Sequence, residues 1–350
     1  MTDNKKIEWV PDKKIDYKEV EYILKQSENL NKFTNYGPCV IKLENIIKDK
    51  LIIDDTKSII AVNSGTGALH ALVSGIELYL NKKLNWVTQS YTFPPSAQGP
   101  LSQAEIIDID DEGGLDISKI PDDTEGIIVT NIFGNVVNIN KYINYCKKKN
   151  IILLFDNAAT SFTFYNNINS INYGIGSIIS FHHTKPMGFG EGGAIIVDKC
   201  YEKSIRCIMN FGINNGKDYF LREASNYKMS DISAAFIIQY LNNFDSIVAI
   251  HKKLFKYMEN RIKNIKDITL YPNFSSDTPF LSCFCLLFEN YNDEIRIKLL
   301  ENNIFCRKYY NPLKNTPKTI EIYNKILCIP CTKDMTEEDI NEIINLIVFV

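Results

Sequence analysis

SIISFHHTKPMGFGEGGAIIVD, residues 177–198, sets one lysine between two apolar runs and beside a cluster of glycines. Ile178-Ile179-Ser180-Phe181 reads as a short buried strand ending in a hydroxyl, and Ala194-Ile195-Ile196-Val197 as the strand that follows. Between them, Gly188, Gly190, Gly192 and Gly193 let the backbone turn tightly or approach another group closely. Lys185 therefore stands between two strand ends rather than on a freely solvated face. An ammonium packed there loses hydration and its pKa falls, which favours the neutral amine that attacks a carbonyl carbon. A surface-loop lysine beside a glycine turn is the plainer alternative, and this stretch alone does not decide between them.

The same glycines match the dinucleotide fingerprint G-x-G-x-x-G letter for letter in Gly188-Phe189-Gly190-Glu191-Gly192-Gly193. That fingerprint needs a strand before it and a helix after it, so that the helix N-terminus meets a pyrophosphate. Here the glycines run into a strand, so a nicotinamide site is not expected.

Working outward, apolar strands without alternation are predicted near 59–62, 85–89, 105–109, 126–130 and 151–155, with helices between several of them. Such strands belong in an α/β sheet that is mostly parallel and covered by helices on both faces, where ligands collect at the carboxyl ends of strands. After the first strand, Asn63-Ser64-Gly65-Thr66-Gly67 leads into a helix predicted to begin at Ala68. Small residues at a helix N-terminus leave N–H groups and hydroxyls that suit a phosphate, although a capped helix with no ligand is an open alternative. The turn lacks the lysine of a Walker loop, which argues against a nucleotide triphosphate. Phe93 lies in the proline-bounded stretch Ser90–Pro95, and Asp156 directly follows five apolar residues. A phosphate-type turn, an aromatic plane, a carboxylate and an amine at successive strand ends are the parts that a pyridoxal phosphate site requires.

Composition is that of an ordinary globular chain: 350 residues, 45% hydrophobic, 23% charged, net charge -3. The absence of a concentrated Lys/Arg block argues against a nucleic-acid partner. Nine cysteines are dispersed and Cys328-x-x-Cys331 is their one C-x-x-C pair, so reduced, mostly buried thiols and no metal are expected. The start, MTDNKKIEWVPDKK, has no apolar core and no 18 apolar residues run together anywhere, which points to a cytoplasmic protein without a membrane partner. From about Asn242 a long helix, strands near Phe280–Phe288 and a final helix suggest a smaller α+β unit. The expected division is residues 1–240 as the large cofactor-binding α/β domain and 241–350 as the small one.

The segments SGTGALHAL, SYTFPPSAQ, FDNAAT, SFHHTK…GEGGAIIVD, NYKMSDISAAFIIQYL and RKYYNPL resemble, in order, the motifs of the DegT/StrS family of nucleotide-sugar aminotransferases, from about Gly37 to the C-terminus. The resemblance implies the type I fold of pyridoxal phosphate-dependent transferases, similar to aspartate aminotransferase. It implies that Lys185 is the lysine that binds the cofactor and moves protons, that Asp156 partners the pyridine nitrogen, and that Phe93 covers the ring. Gly65, Thr66 and Ser180 resemble phosphate contacts. Asn226 resembles an asparagine that reaches the phosphate in a neighbouring subunit, which implies a homodimer with shared active sites. Arg307, Lys308, Tyr309 and Tyr310 correspond to a segment facing the nucleotide-sugar pocket; His183, set with them as a substrate contact, and His182 lie close to Lys185 and are read as packing or hydrogen-bonding residues rather than catalytic bases. Two positions depart from the family. Ala159 replaces a Gln or Glu beside the ring, so that Asn157, Thr160 or a water would take over its contact, and Lys228 replaces an arginine, keeping charge but losing the planar fork.

Members of the family that remove a sugar hydroxyl carry His at the lysine position, so Lys185 implies transamination. The implied reaction moves an amino group from L-glutamate to a nucleotide-linked 4-keto-6-deoxyhexose, at C-4 in preference to C-3, as in viosamine- or perosamine-type pathways. A C-3 aminotransferase, a dehydratase and a non-catalytic regulator on the same fold are the alternatives.

Overall fold

Strands that are apolar at every position need cover on both faces, and alternate residues of one strand then enter two different cores. The computed structural model describes residues 5–213, 221–272 and 279–348. Its strands are β1 (Lys57–Val62), β2 (Trp86–Gln89), β3 (Glu105–Ile107), β4 (Gly126–Thr130), β5 (Ile152–Asp156), β6 (Phe164–Tyr165), β7 (Ile168–Asn169), β8 (Gly176–Ser180), β9 (Gly193–Asp198), β10 (Ile268–Leu270), β11 (Cys283–Phe288) and β12 (Ile326–Pro330). Seven of them form one sheet in the order β1-β9-β8-β5-β4-β2-β3. β9 is antiparallel to both its neighbours, and the other contacts are parallel, so six strands run one way and β9 alone runs back.

Cover comes from the helices as periodicity requires. Ile60, Val62, Ile178 and Ile195 pack on one face against Leu69, Leu72 and Ile76 of the helix Gly65–Leu80. Their sequence neighbours Ile59, Ala61, Ile179 and Ile196 pack on the other against Val40, Leu43 and Ile47 of the helix Pro38–Leu51. The expected doubly covered, mostly parallel sheet is what forms.

β10, β11 and β12 make a smaller antiparallel sheet. Helices Asp293–Glu301 and Glu337–Val348 contribute Ile295, Leu299, Ile340, Ile343 and Ile344 to its core. The long helix Phe244–Ile262 joins the two cores, with Ile247 in the first and Leu254 and Met258 in the second. The N-terminal segment also meets this second core, where Ile7 pairs with Ile304. Among the described residues no helix is long and apolar enough to cross a membrane.

One boundary differs from expectation in a way that matters. The helix after β1 begins at Gly65, not at Ala68, because Ser64 caps it: its Oγ accepts from the Gly67 N–H at 2.9 Å. The small-residue turn is thus the first turn of the helix itself.

Candidate active site

Because six strands share a direction, the ends of β1, β2, β4, β5 and β8 lie on one edge of the sheet, where their loops enclose a cavity of about 410 Å³. Gly65, Thr66, Phe93, Asp156, Ser180 and Lys185 all line it. So do Arg307, Tyr309 and Tyr310, which arrive from the segment that pairs with β12.

At the end of β1, the N–H groups of Gly65 and Thr66 belong to the first turn of a helix and have no partner within it. A Cβ on Gly65 would lie 2.9 Å from Ser180 Cβ, and one on Gly193 would lie 2.7 Å from the Ser64 carbonyl carbon. Three backbone segments therefore meet with no room for side chains, presenting N–H donors, the positive helix end and the Ser180 hydroxyl together. That cradle suits a dianionic phosphate, with the helix end alone worth roughly 0.3–2 kcal/mol toward it.

Asp156 closes β5 and is 6% exposed. Its Oδ1 accepts from the Ala158 N–H at 2.9 Å, yet among the described residues it forms no ion pair. Burial raises its pKa, and that hydrogen bond and the charge of Lys185 oppose the rise. Lys185 is the complementary case: burial lowers its pKa and Asp156 opposes the fall. Its backbone is fastened, with N–H to His182 O at 2.8 Å and its carbonyl accepting from Gly188 N–H at 2.9 Å. Its ammonium, by contrast, bonds to no described residue, and the side chain stays partly accessible through the cavity. A buried carboxylate without a cation and a buried amine without an acceptor each cost free energy. A ligand with a protonated ring nitrogen, an electrophilic carbon and a phosphate satisfies both groups and the cradle at once, and those are the features of pyridoxal phosphate.

The glycine run now has a mechanical reading. It leads into β9, so no helix N-terminus follows it and the nicotinamide reading is excluded on geometry. A Cβ on Gly188 would lie 2.0 Å from His182 O, and Gly190 has φ +63°. These positions bend the loop so that Lys185 points into the cavity.

Several expected residues lie elsewhere. His183 is turned out of the cavity, edge-on to Phe189 at 5.4 Å, and His182 lines it instead, with its Nε2 3.4 Å from Glu191 Oε1. Lys308 points to the opposite side of its extended segment from Arg307, as alternation dictates, and lies over the Tyr291 ring at 3.8 Å while donating to Asn324 O at 3.0 Å. Asn226 is exposed beside Asn63, whose side chain donates to its carbonyl at 3.1 Å, and it is outside the cavity of its own chain. Neither Asn157 nor Thr160 faces the cavity beside Ala159. Asn157 is held by Ser177 and Asn131 at 2.7 Å each, and Thr160 donates to Asn131 O at 2.6 Å, so both are committed to a buried network under the floor.

Residues not singled out from the sequence complete the walls. Phe133 stacks on Tyr310 at 4.9 Å, and the N-terminal Trp9 lies 4.8 Å from the Arg307 guanidinium and 5.6 Å from the Tyr309 ring. Trp9, one of two tryptophans, precedes the segment that carries the family resemblance, and no motif marks it.

Lys13 also belongs to that N-terminal segment. Its Nζ donates to the carbonyls of Lys185 at 2.7 Å and Gly188 at 2.5 Å, and burial, with a smaller effect of Lys333, lowers its pKa to about 7. Lys13→Met leaves two loop carbonyls without their donor, an expected loss of about 1–3 kcal/mol. A lower melting temperature together with slower reaction at Lys185 would bear this out, and unchanged values for both would remove Lys13 from the loop's support.

A phosphate cradle, a buried carboxylate and a cavity-facing lysine amine at the strand ends of this sheet are those of a pyridoxal phosphate-dependent transferase of fold type I. More narrowly, residues 14–348 match the DegT/DnrJ/EryC1/StrS aminotransferase family, and the chain belongs to it. A similar protein is the dTDP-4-amino-4,6-dideoxy-D-glucose transaminase of Shigella dysenteriae, 26% identical over 342 residues that cover 90% of this chain and 91% of the relative. Among solved structures, DesI in the presence of its TDP-sugar product has a TM-score of 0.85 at 18% identity, covering 99% of this chain and 93% of that one. The GDP-4-keto-6-deoxy-D-mannose-3-dehydratase of E. coli has a TM-score of 0.82 at 16% identity, covering 98% and 99%. At those identities the two structures establish the fold.

Proposed function

We propose that this aminotransferase moves an amino group from L-glutamate to C-4 of a nucleotide-linked 4-keto-6-deoxyhexose. The observation that carries the reading is the amine of Lys185 facing a cavity with the buried carboxylate of Asp156 in its floor, neither group being in an ion pair with any described residue. When bound, pyridoxal phosphate accepts the amino group and withdraws negative charge from the carbon that loses its proton. Gly65 and Thr66 N–H groups and Ser180 Oγ would hold its phosphate, and Asp156 would hold positive charge at its ring nitrogen. Lys185 Nζ would hold the cofactor at its aldehyde and would serve as the base and acid that moves the proton at the reacting carbon. Its lowered pKa keeps more of it in the neutral form that accepts a proton.

Arg307, Tyr309 and Trp9 form an aromatic and cationic wall that suits a nucleotide diphosphate. Arg307→Ala is expected to raise KM for the sugar nucleotide about tenfold or more, as for loss of a charged hydrogen bond, with the L-glutamate half-reaction little changed. Equal effects on both halves would place Arg307 outside the sugar site.

We further infer that the active form is a homodimer, with exposed Asn226 reaching the cofactor phosphate of the neighbouring subunit, and that the division of the chain falls near residues 240/241. C-3 amination is the second reading of the same site, since the pose of the sugar decides which carbon meets Lys185. Dehydration is disfavoured by the primary amine, which can bind the cofactor covalently. A panel of nucleotide-linked 3-keto and 4-keto sugars, with products assigned by mass and NMR, tests the choice: turnover of the 4-keto sugars supports it, and turnover of 3-keto sugars alone overturns it.

A further inference from the structure

Three cysteines far apart in sequence meet behind the wall of this cavity. Cys283 and Cys285 lie two apart on β11 and share a face, and Cys285 is directly opposite Cys328 on β12. The Cys285 carbonyl turns away to accept from Tyr271 N–H, and Cys328 exchanges both of its backbone hydrogen bonds with Arg307. Cys285 and Cys328 are therefore a pair without mutual backbone bonds, the arrangement that brings opposed side chains closest. The sulfurs of Cys283 and Cys285 are 3.5 Å apart, those of Cys285 and Cys328 are 3.5 Å apart, and all three lie within 4.8 Å of one another. All three thiols are free and buried.

We infer that Cys283, Cys285 and Cys328 form a binding site for one soft, thiophilic metal ion such as Zn2+, Cd2+ or Cu+. Three sulfurs around an ion at about 2.3 Å stand about 3.8–4.0 Å apart, so these separations need only small side-chain rotations. Thiolates are the ligands such ions prefer, and no oxygen or imidazole need be added to select for softness. Cys283 also lines the active-site cavity, which gives an ion a way in. Binding a divalent ion releases one proton from each coordinated thiol, so affinity rises with pH. Spacing along the sequence could not show the site, because Cys328 reaches it only through strand pairing across 43 residues.

Cadmium is the probe, since cadmium thiolates absorb in the near ultraviolet. The holoenzyme would carry Cys200→Ser, to remove the exposed thiol, and be titrated under a non-thiol reductant. The expected result is one Cd2+ per protomer with thiolate absorbance and proton release. Cys285→Ser and Cys328→Ser should each weaken binding by more than the ten- to hundredfold typical of losing an outer-shell partner. Cys331→Ser, whose native sulfur lies 3.5 Å from His251 Nδ1, should leave binding in place. Cys285→Ala, checked by circular dichroism, replaces any serine variant that does not fold. No thiolate absorbance in the parent, or equal binding after loss of Cys285 or Cys328, overturns the site.

Discussion

Lys185→Ala should abolish amine transfer while leaving the fold intact. The residue is a loop lysine whose backbone bonds to His182 and Gly188 do not depend on its side chain. Its ammonium contributes no hydrogen bond to any described residue, and its burial disfavours the charged form. Removing it therefore takes away a group that costs stability in the cofactor-free protein. On the proposed mechanism the chemistry has no such tolerance, since the same nitrogen would both bind the cofactor and move the proton. A proton-transfer role alone is worth about 10²–10⁴ in rate. Single-turnover mixing with L-glutamate is the measurement, with borohydride reduction and peptide mapping to find the modified lysine. A label that still lands on a lysine of the variant, with the rate preserved, would assign the chemistry to another residue.

Asp156→Asn should have the next largest effect, and it should act in opposite directions on catalysis and on the stability of the cofactor-free protein. On the proposed mechanism the carboxylate would hold positive charge on the ring nitrogen, and loss of one such preorganised electrostatic partner costs about 10²–10³ in rate. In the cofactor-free protein burial raises the pKa of Asp156, so the folded state binds that proton more tightly than the unfolded state does. The resulting stability is present below the ordinary carboxylate range and is lost as pH rises through the raised folded value. Asparagine carries no charge at any pH. The cofactor-free variant should therefore melt higher than the parent at neutral pH, with the difference shrinking in acid. A variant that melts lower at neutral pH would mean that the native carboxylate is compensated after all.

The main sheet was legible because most of its strands carry runs of adjacent apolar residues and several are followed by chemically distinctive residues. Asp156 and Ser180 each close a strand and Ser64 caps the helix that follows one, and helices between β1 and β2 and between β4 and β5 signal the parallel order. What the sequence hid falls into two kinds. Side-chain direction is one: His183 and Lys308 sit next to cavity residues, but turn and strand alternation aim them away. Asn157 and Thr160 are the same case, since their hydrogen-bonding capacity is used beneath the floor. Long-range pairing is the other. Lys13 reaches the loop of Lys185 across 172 positions, and Trp9 meets Arg307 from a segment with no periodicity of its own. The three cysteines converge only because β11 and β12 pair in one register.

The most direct test follows the nitrogen itself. Holoenzyme is incubated with 15N-labelled L-glutamate and a dTDP-linked 4-keto-6-deoxyhexose, and the sugar product is examined by NMR. The expected result is 15N bonded to C-4, with one 2-oxoglutarate formed for each amino sugar. Nitrogen at C-3, or a deoxygenated sugar that contains no nitrogen, would contradict it.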